Sequence, residues 1–154
     1  MSEMKVRKPT LHDAPGIQAL LQSYADRQLL LPLNLSQVCE RLRDFHIADL
    51  DGKVVGCGAL RLWGGDLAEV RSVAVAESQW RKGVGRAVLD ACIAEGRNIG
   101  VKTVFVLTYQ PEFFEKLGFK RVTKEMFPQK IWADCANCPQ FPNCNEVALA
   151  LKLD

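Results

Sequence analysis

The chain has 154 residues, 48% of them hydrophobic and 25% charged, with 20 basic against 18 acidic side chains and a net charge of +2. That length suits one domain able to bury a core, the balanced charge does not suit a surface that coats nucleic acid, and no apolar run reaches the ~18 residues of a membrane span. The start, Met1-Ser2-Glu3-Met4-Lys5, lacks an apolar signal core, so a cytoplasmic location is expected, and the six cysteines read as buried thiols or metal ligands before disulfides.

In chain order, Lys5 to Lys8 is a short first strand. Thr10 offers an N-cap, with Asp13 as its partner in a weaker relative of the capping box. Ile17, Leu20, Leu21 and Tyr24 then recur at helical spacing, and Leu29-Leu30-Leu31-Pro32 ends the pattern because proline disfavours helix in the residue before it. Asn34 or Ser36 caps a second helix carrying Val38, Leu42 and Phe45. Phe45 to Leu50, Asp51-Gly52 and Lys53 to Leu62 read as a hairpin, since Asp-Gly suits the turn that matches strand twist. Trp63-Gly64-Gly65 is the next turn and Leu67 to Val75 the next strand. A helix follows from Gly83. Val101 to Leu107 is a further strand, Pro111 opens a short helix that Gly118 stops, and Phe119 to Val122 and Glu146 to Leu151 are the last strands. This order predicts a single α+β domain, a mixed β-sheet flanked by helices. Residues 123–145 show little periodicity and read as an irregular, cysteine-containing loop or lid.

The stretch after the Leu67 strand carries the chemistry. Lys82-Gly83-Val84-Gly85-Arg86 places two glycines where a helix begins. Without Cβ atoms a phosphate can approach the backbone, and the helix start offers unpaired N–H groups and the positive end of its dipole. Arg81, Lys82 and Arg86 add positive charge. A Rossmann fingerprint would need a third glycine where Val88 stands, and the G-K-[ST] of a Walker loop does not occur.

This strand, loop and helix resemble those of the GNAT N-acetyltransferases, and the likeness continues through Phe113-Phe114-Glu115-Lys116-Leu117-Gly118-Phe119. Val106-Leu107-Thr108-Tyr109, Phe113 to Phe119 and Met126-Phe127-Pro128-Gln129-Lys130 narrow it to the short N-acetylglutamate synthases, which lack the kinase-like domain and begin arginine biosynthesis. The resemblance implies acetyl-CoA as co-substrate with no tightly bound cofactor, held by the Arg81 to Arg86 loop including Val84, by strand backbone at Val73 and Val75, and by Phe114 and Lys116 of the second motif. Three positions depart from the pattern. Trp80 stands where many relatives have Arg or Gln, Phe114 where many have a tyrosine that protonates the leaving thiolate, and Leu33 where the synthases often have a carboxylate-binding arginine.

Acetyl transfer from a thioester needs a neutral amine, a held carbonyl and a route for the proton. Glu69 is the candidate base. On an extended strand it would share a face with Arg71, Val73 and Val75, acting through water; an ion pair with Arg71 is the competing reading, which the resemblance tips towards catalysis. Tyr109 is placed where a hydroxyl would reach the sulfur, or would only pack. Arg27, Arg71 and Lys130 are the candidate cations for substrate carboxylates. His12 and His46 read as surface or satisfied histidines. Cys135, Cys138 and Cys144 have partial zinc spacing, but a closed site needs four ligands, so reduced thiols are expected and no metal is assigned. Cys39, Cys57 and Cys92 lie in apolar patterns and belong to the core.

The expected activity is transfer of the acetyl group of acetyl-CoA to a primary amine, with the α-amino group of L-glutamate favoured. Another small amine, a protein amine, or a non-catalytic acyl-CoA sensor are the alternatives. The expected partner is a small-molecule amine, without nucleic acid or membrane, and a homodimer stays open.

Overall fold

The computed structural model describes residues 3–123 and 147–153. Strands β1 (Met4–Arg7), β2 (Phe45–Leu50), β3 (Lys53–Gly64), β4 (Leu67–Val75), β5 (Thr103–Thr108), β6 (Lys120–Arg121) and β7 (Val147–Lys152) form one sheet in the order β1-β2-β3-β4-β5-β7-β6. All neighbours run antiparallel except β4 and β5, which are parallel and joined through a helix. Helices α1 (Ala14–Ala25) and α2 (Leu35–Glu40) cover one face, burying Ile17, Leu21 and Val38 on Phe45, Ile47 and Ala59. On the other face α3 (Val84–Asn98) and α4 (Pro111–Glu115) bury Leu89, Cys92 and Phe114 against Leu60, Val70, Val104 and Leu149. The predicted α+β architecture is the one found.

Local chemistry accounts for the element ends. Asn34 caps α2 reciprocally: its side-chain oxygen accepts from the Gln37 amide at 2.8 Å while its own amide donates to Gln37 Oε1 at 2.9 Å. Asp51 and Gly52 both adopt positive φ, 53° and 86°, as the tight β2–β3 turn requires. Asp13 accepts from the Thr10 amide at 2.7 Å and from both terminal nitrogens of Arg7, whose Nε donates to Asp49 on β2. The helical turn therefore begins under a charge-assisted clamp from β1. Leu42 and Phe45, which helical spacing puts on the second helix, lie beyond α2, because a short 3-10 turn at Leu42–Asp44 ends the helical path; Phe45 opens β2, as the hairpin reading has it. Trp63 and Gly64, expected in a turn, remain in β3.

Two irregularities of β4 make the site. The β3–β4 ladder steps from Cys57↔Ala74 to Ala59↔Arg71, so β4 carries one extra residue, and Ser72 within it has φ 56°. The bulge reverses the alternation of side chains. Val73 packs with the α3-side core, and Val75 lies 3.4 Å from where a Cβ on Gly85 of α3 would stand. Ala74 joins the core beneath α1. Glu69 thus shares its face with Arg71 but not with Val73 or Val75, which corrects the expectation from simple alternation. Secondly, β4 pairs with β5 only from Leu67 to Glu69, against Thr103 to Phe105. Beyond that point the strands part.

Candidate active site

The opening between β4 and β5 is a cavity of about 760 Å³. Its walls are β4 from Glu69 to Val75, the chain from Val106 to Gln110, the loop into α3, Phe113 and Phe114 of α4, and the α1–α2 connection at Leu29, Leu30, Leu31 and Leu33. Strands that separate expose backbone edges to a ligand, so the cleft is shaped for an extended chain lying between them.

At one end sits the helix start. Gly83 is the N-cap of α3 with φ 82°, and Arg81 before it has φ 66°. Left-handed residues on either side of Lys82 turn amide groups towards a common point, and α3 adds its unpaired first-turn N–H groups. A Cβ at Gly83 would meet nothing within 4 Å, whereas one at Gly85 would stand 3.3 Å from Phe113 Cζ. Gly83 is therefore required by its backbone conformation and Gly85 by close packing of helix on ring. Arg81, Gly83, Val84, Gly85 and Arg86 line the cavity; Lys82 does not. Exposed amides, cationic side chains and a long cleft fit the pyrophosphate and pantetheine arm of coenzyme A.

Trp80 explains its own departure from the pattern. Its Nε1 donates to the Val75 carbonyl at 2.8 Å, and the Arg27 guanidinium lies 5.2 Å from its ring centroid. Arg27 also pairs with Glu77 at 2.9 Å. It braces the loop from outside and is not brought to the cavity wall. The Val75 amide and carbonyl both meet the Tyr24 hydroxyl, at 3.2 and 3.3 Å, so this part of β4 is tied to α1.

Mid-cavity, Glu69 is 8% exposed, its Oε1 accepting from Trp63 Nε1 at 2.9 Å with Arg71 Nε at 3.7 Å. Arg71 and Tyr109 line the same cavity. Phe114 is 4% exposed and meets Phe113 and Phe119 edge-on at 5.0 and 5.4 Å, an apolar stop with no proton to give. Lys116 stands exposed at the rim. Leu33 is buried beneath α1 and α2 as well as facing the cavity.

Sequence reasoning missed two residues here. Arg41, just after α2, lines the cavity with Arg71; its position on the stripe Val38, Arg41, Leu42 and Phe45 was the available signal. Trp63 was lost by being read as turn. Lys130, Cys135, Cys138 and Cys144 lie outside the described residues, as does nearly all of the irregular segment. Burial pushes the Cys57 and Cys92 thiols up to about 12, which makes them unreactive core groups, and Cys39 is half-buried against the same core as Cys57. His46 is half-buried, 3.7 Å from Cys92 Sγ, with its pKa lowered by that burial.

The acetyltransferase (GNAT) family matches residues 17–119 of this sequence. The chain belongs to that family. It is 41% identical to an uncharacterized N-acetyltransferase of Chlorobaculum tepidum, across 96% of both chains. It is 39% identical to an amino-acid acetyltransferase of Mycobacterium tuberculosis, across 80% of this chain and 75% of that one. Among solved structures, a Mycobacterium tuberculosis protein in complex with CoA superposes with a TM-score of 0.84 at 33% identity, over 97% of this chain and 99% of that one. The N-acetylglutamate synthase of Neisseria gonorrhoeae, complexed with coenzyme A and N-acetyl-glutamate, gives a TM-score of 0.90 at 25% identity, over 99% of this chain and 35% of that one. This GNAT protein is accordingly an N-acetyltransferase with acetyl-CoA as co-substrate. Among the described residues, no helix is long and apolar enough to cross a membrane.

Proposed function

We propose that this GNAT enzyme acetylates the α-amino group of L-glutamate, the first step of arginine biosynthesis. The observation that carries the reading is that a buried carboxylate, Glu69, and two guanidiniums, Arg71 and Arg41, line one cavity beside the cleft between β4 and β5. Free glutamate brings two carboxylates and one ammonium, and guanidinium binds carboxylates bidentately. Arg41 takes the place left by Leu33 and by the outward-turned Arg27. The amino-acid acetyltransferase relative and the structural likeness to an N-acetylglutamate synthase support the choice.

In the mechanism, Glu69 accepts the ammonium proton through water, leaving a neutral amine. That nitrogen forms a bond to the thioester carbonyl carbon, the carbon–sulfur bond breaks with its electron pair leaving on sulfur, and the surplus proton on the acylated nitrogen passes to the thiolate, giving the amide and coenzyme A thiol. An N–H of the open β4 edge polarises the carbonyl oxygen as charge develops there. Tyr109, at the end of β5, is the hydroxyl assigned to the departing sulfur. Phe114 has no such role, and a thiol pKa near ~8.5 lets thiolate leave tolerably without a strong acid. The loop from Arg81 to Arg86 holds the pyrophosphate, with Val73 and Val75 beside the arm.

The four leucines from 29 to 33 that face the cavity favour a second reading, a less polar amine or a peptide amine. Thiol release measured side by side with glutamate, glutamine, aspartate and a lysine peptide separates the two. Glutamate is expected to turn over fastest; glutamate no faster than buffer, while another amine reacts, would retire the synthase reading and leave the acetyltransferase intact.

A further inference from the structure

Trp63 stands at the end of β3, and Arg61 on the same strand faces Glu69 across the ladder. The indole ring is held by the Arg61 guanidinium, 4.1 Å from its centroid, and its Nε1 reaches Glu69 Oε1 at 2.9 Å. An indole N–H only donates, so it has no use for a protonated oxygen turned towards it and favours the ionised carboxylate.

We infer that Trp63 is the positioning residue of this enzyme's base: its N–H, bonded to Oε1, fixes the plane in which the Glu69 carboxylate meets the acceptor amine's proton. The inference rests on the reading of Glu69 as the base. A glutamate side chain has three rotatable torsions, and general-base catalysis needs the accepting oxygen within hydrogen-bond reach of its proton or of one water. Arg71 adds charge at 3.7 Å but not a second hydrogen bond of the same quality, since N–H···O contacts weaken well before that distance. Among the described residues, Arg61 of β3 is paired with Glu69 in register, and Arg41 from the end of α2 and Tyr109 from beyond β5 line the same cavity. The arginines keep their charge throughout the working range, so they do not shape the acid side of a rate profile.

The test compares wild type, Trp63→Phe, Glu69→Gln and the double variant, with thermal melts and calorimetric coenzyme A affinity as checks on folding. Phenylalanine keeps an aromatic ring for Arg61 and removes the donor together with the five-membered ring that carries it. Trp63→Phe is expected to lower kcat about tenfold, leave KM for acetyl-CoA unchanged, and move the acid limb of kcat/KM to higher pH by about one unit, because the lost donor had favoured the charged form. In the Glu69→Gln background the same change is expected to cost nothing further. A fall in rate with an unmoved acid limb, or an equal fall in both backgrounds, would overturn the inference and leave Trp63 as packing. Glu69→Gln turning over at nearly the wild-type rate would instead remove the base reading itself.

Discussion

Glu69 is the base in the proposed mechanism, and its burial beside Trp63 and Arg71 gives its replacement a definite expectation. Glu69→Gln should reduce turnover at neutral pH by roughly 10²–10⁴-fold, the ordinary worth of a positioned base, with coenzyme A affinity unchanged by calorimetry. Arg41→Ala should raise KM for glutamate by roughly ten- to a hundredfold, the cost of losing one charged hydrogen-bonded contact, and leave KM for acetyl-CoA alone. Steady-state kinetics with acceptor and donor varied in turn reads both. Glu69 was legible because the strand motif surrounds it. Arg41 was not, because a cation at the end of a short helix is ordinarily solvated, and only the tertiary fold brings it to the cavity that Arg71 lines.

Among the elements, α3 matters most, since its first turn carries the proposed phosphate loop and its register on the sheet is set by glycines beneath it. A Cβ at Gly56 of β3 would stand 2.6 Å from Cγ1 of Val84, the first residue of that helix. Valine is stiff at χ1, so the helix start must move. Gly56→Ala is expected to cost about 1–3 kcal/mol in chemical denaturation and to weaken coenzyme A binding as well. Gly96, further along α3, offers the contrast. Its added Cβ would find only ordinary contacts, 3.4 to 3.7 Å from Leu60, Val101 and Leu153. Gly96→Ala should therefore be neutral or stabilise by up to about 1 kcal/mol, through helix propensity. Calorimetry giving the reverse order for the two variants would remove α3 register as the link between sheet and phosphate loop.

For the whole molecule, Arg7 joins β1, the turn before α1 and β2 through Asp13 and Asp49. The guanidinium, helped by the Thr10 amide, holds the Asp13 carboxyl at about 2, against a usual 3.8. A depressed carboxyl stabilises the fold fully above its unfolded value and ceases to do so as pH falls through the folded one. Stability should thus drop by about 1–2 kcal/mol between roughly pH 4 and pH 2, the figure reduced because the Arg7 side chain is 36% exposed and solvent screens the pair. Urea melts across that range, compared with Asp13→Asn, check it: the variant should lack this component of the slope. The sequence alone determined the order of elements, the α+β class and the glycine pair at the start of α3, because each follows from periodicity, turn chemistry or glycine within a few neighbouring residues. The tertiary structure decided the rest. A bulge at Ser72 leaves no mark on hydrophobic alternation, yet it turns Val73 and Val75 to the opposite face from Glu69. Whether Arg27 or Arg41 meets the cavity, and whether Trp63 ends a turn or holds a carboxylate, depends on how distant elements approach one another, which no local spacing encodes.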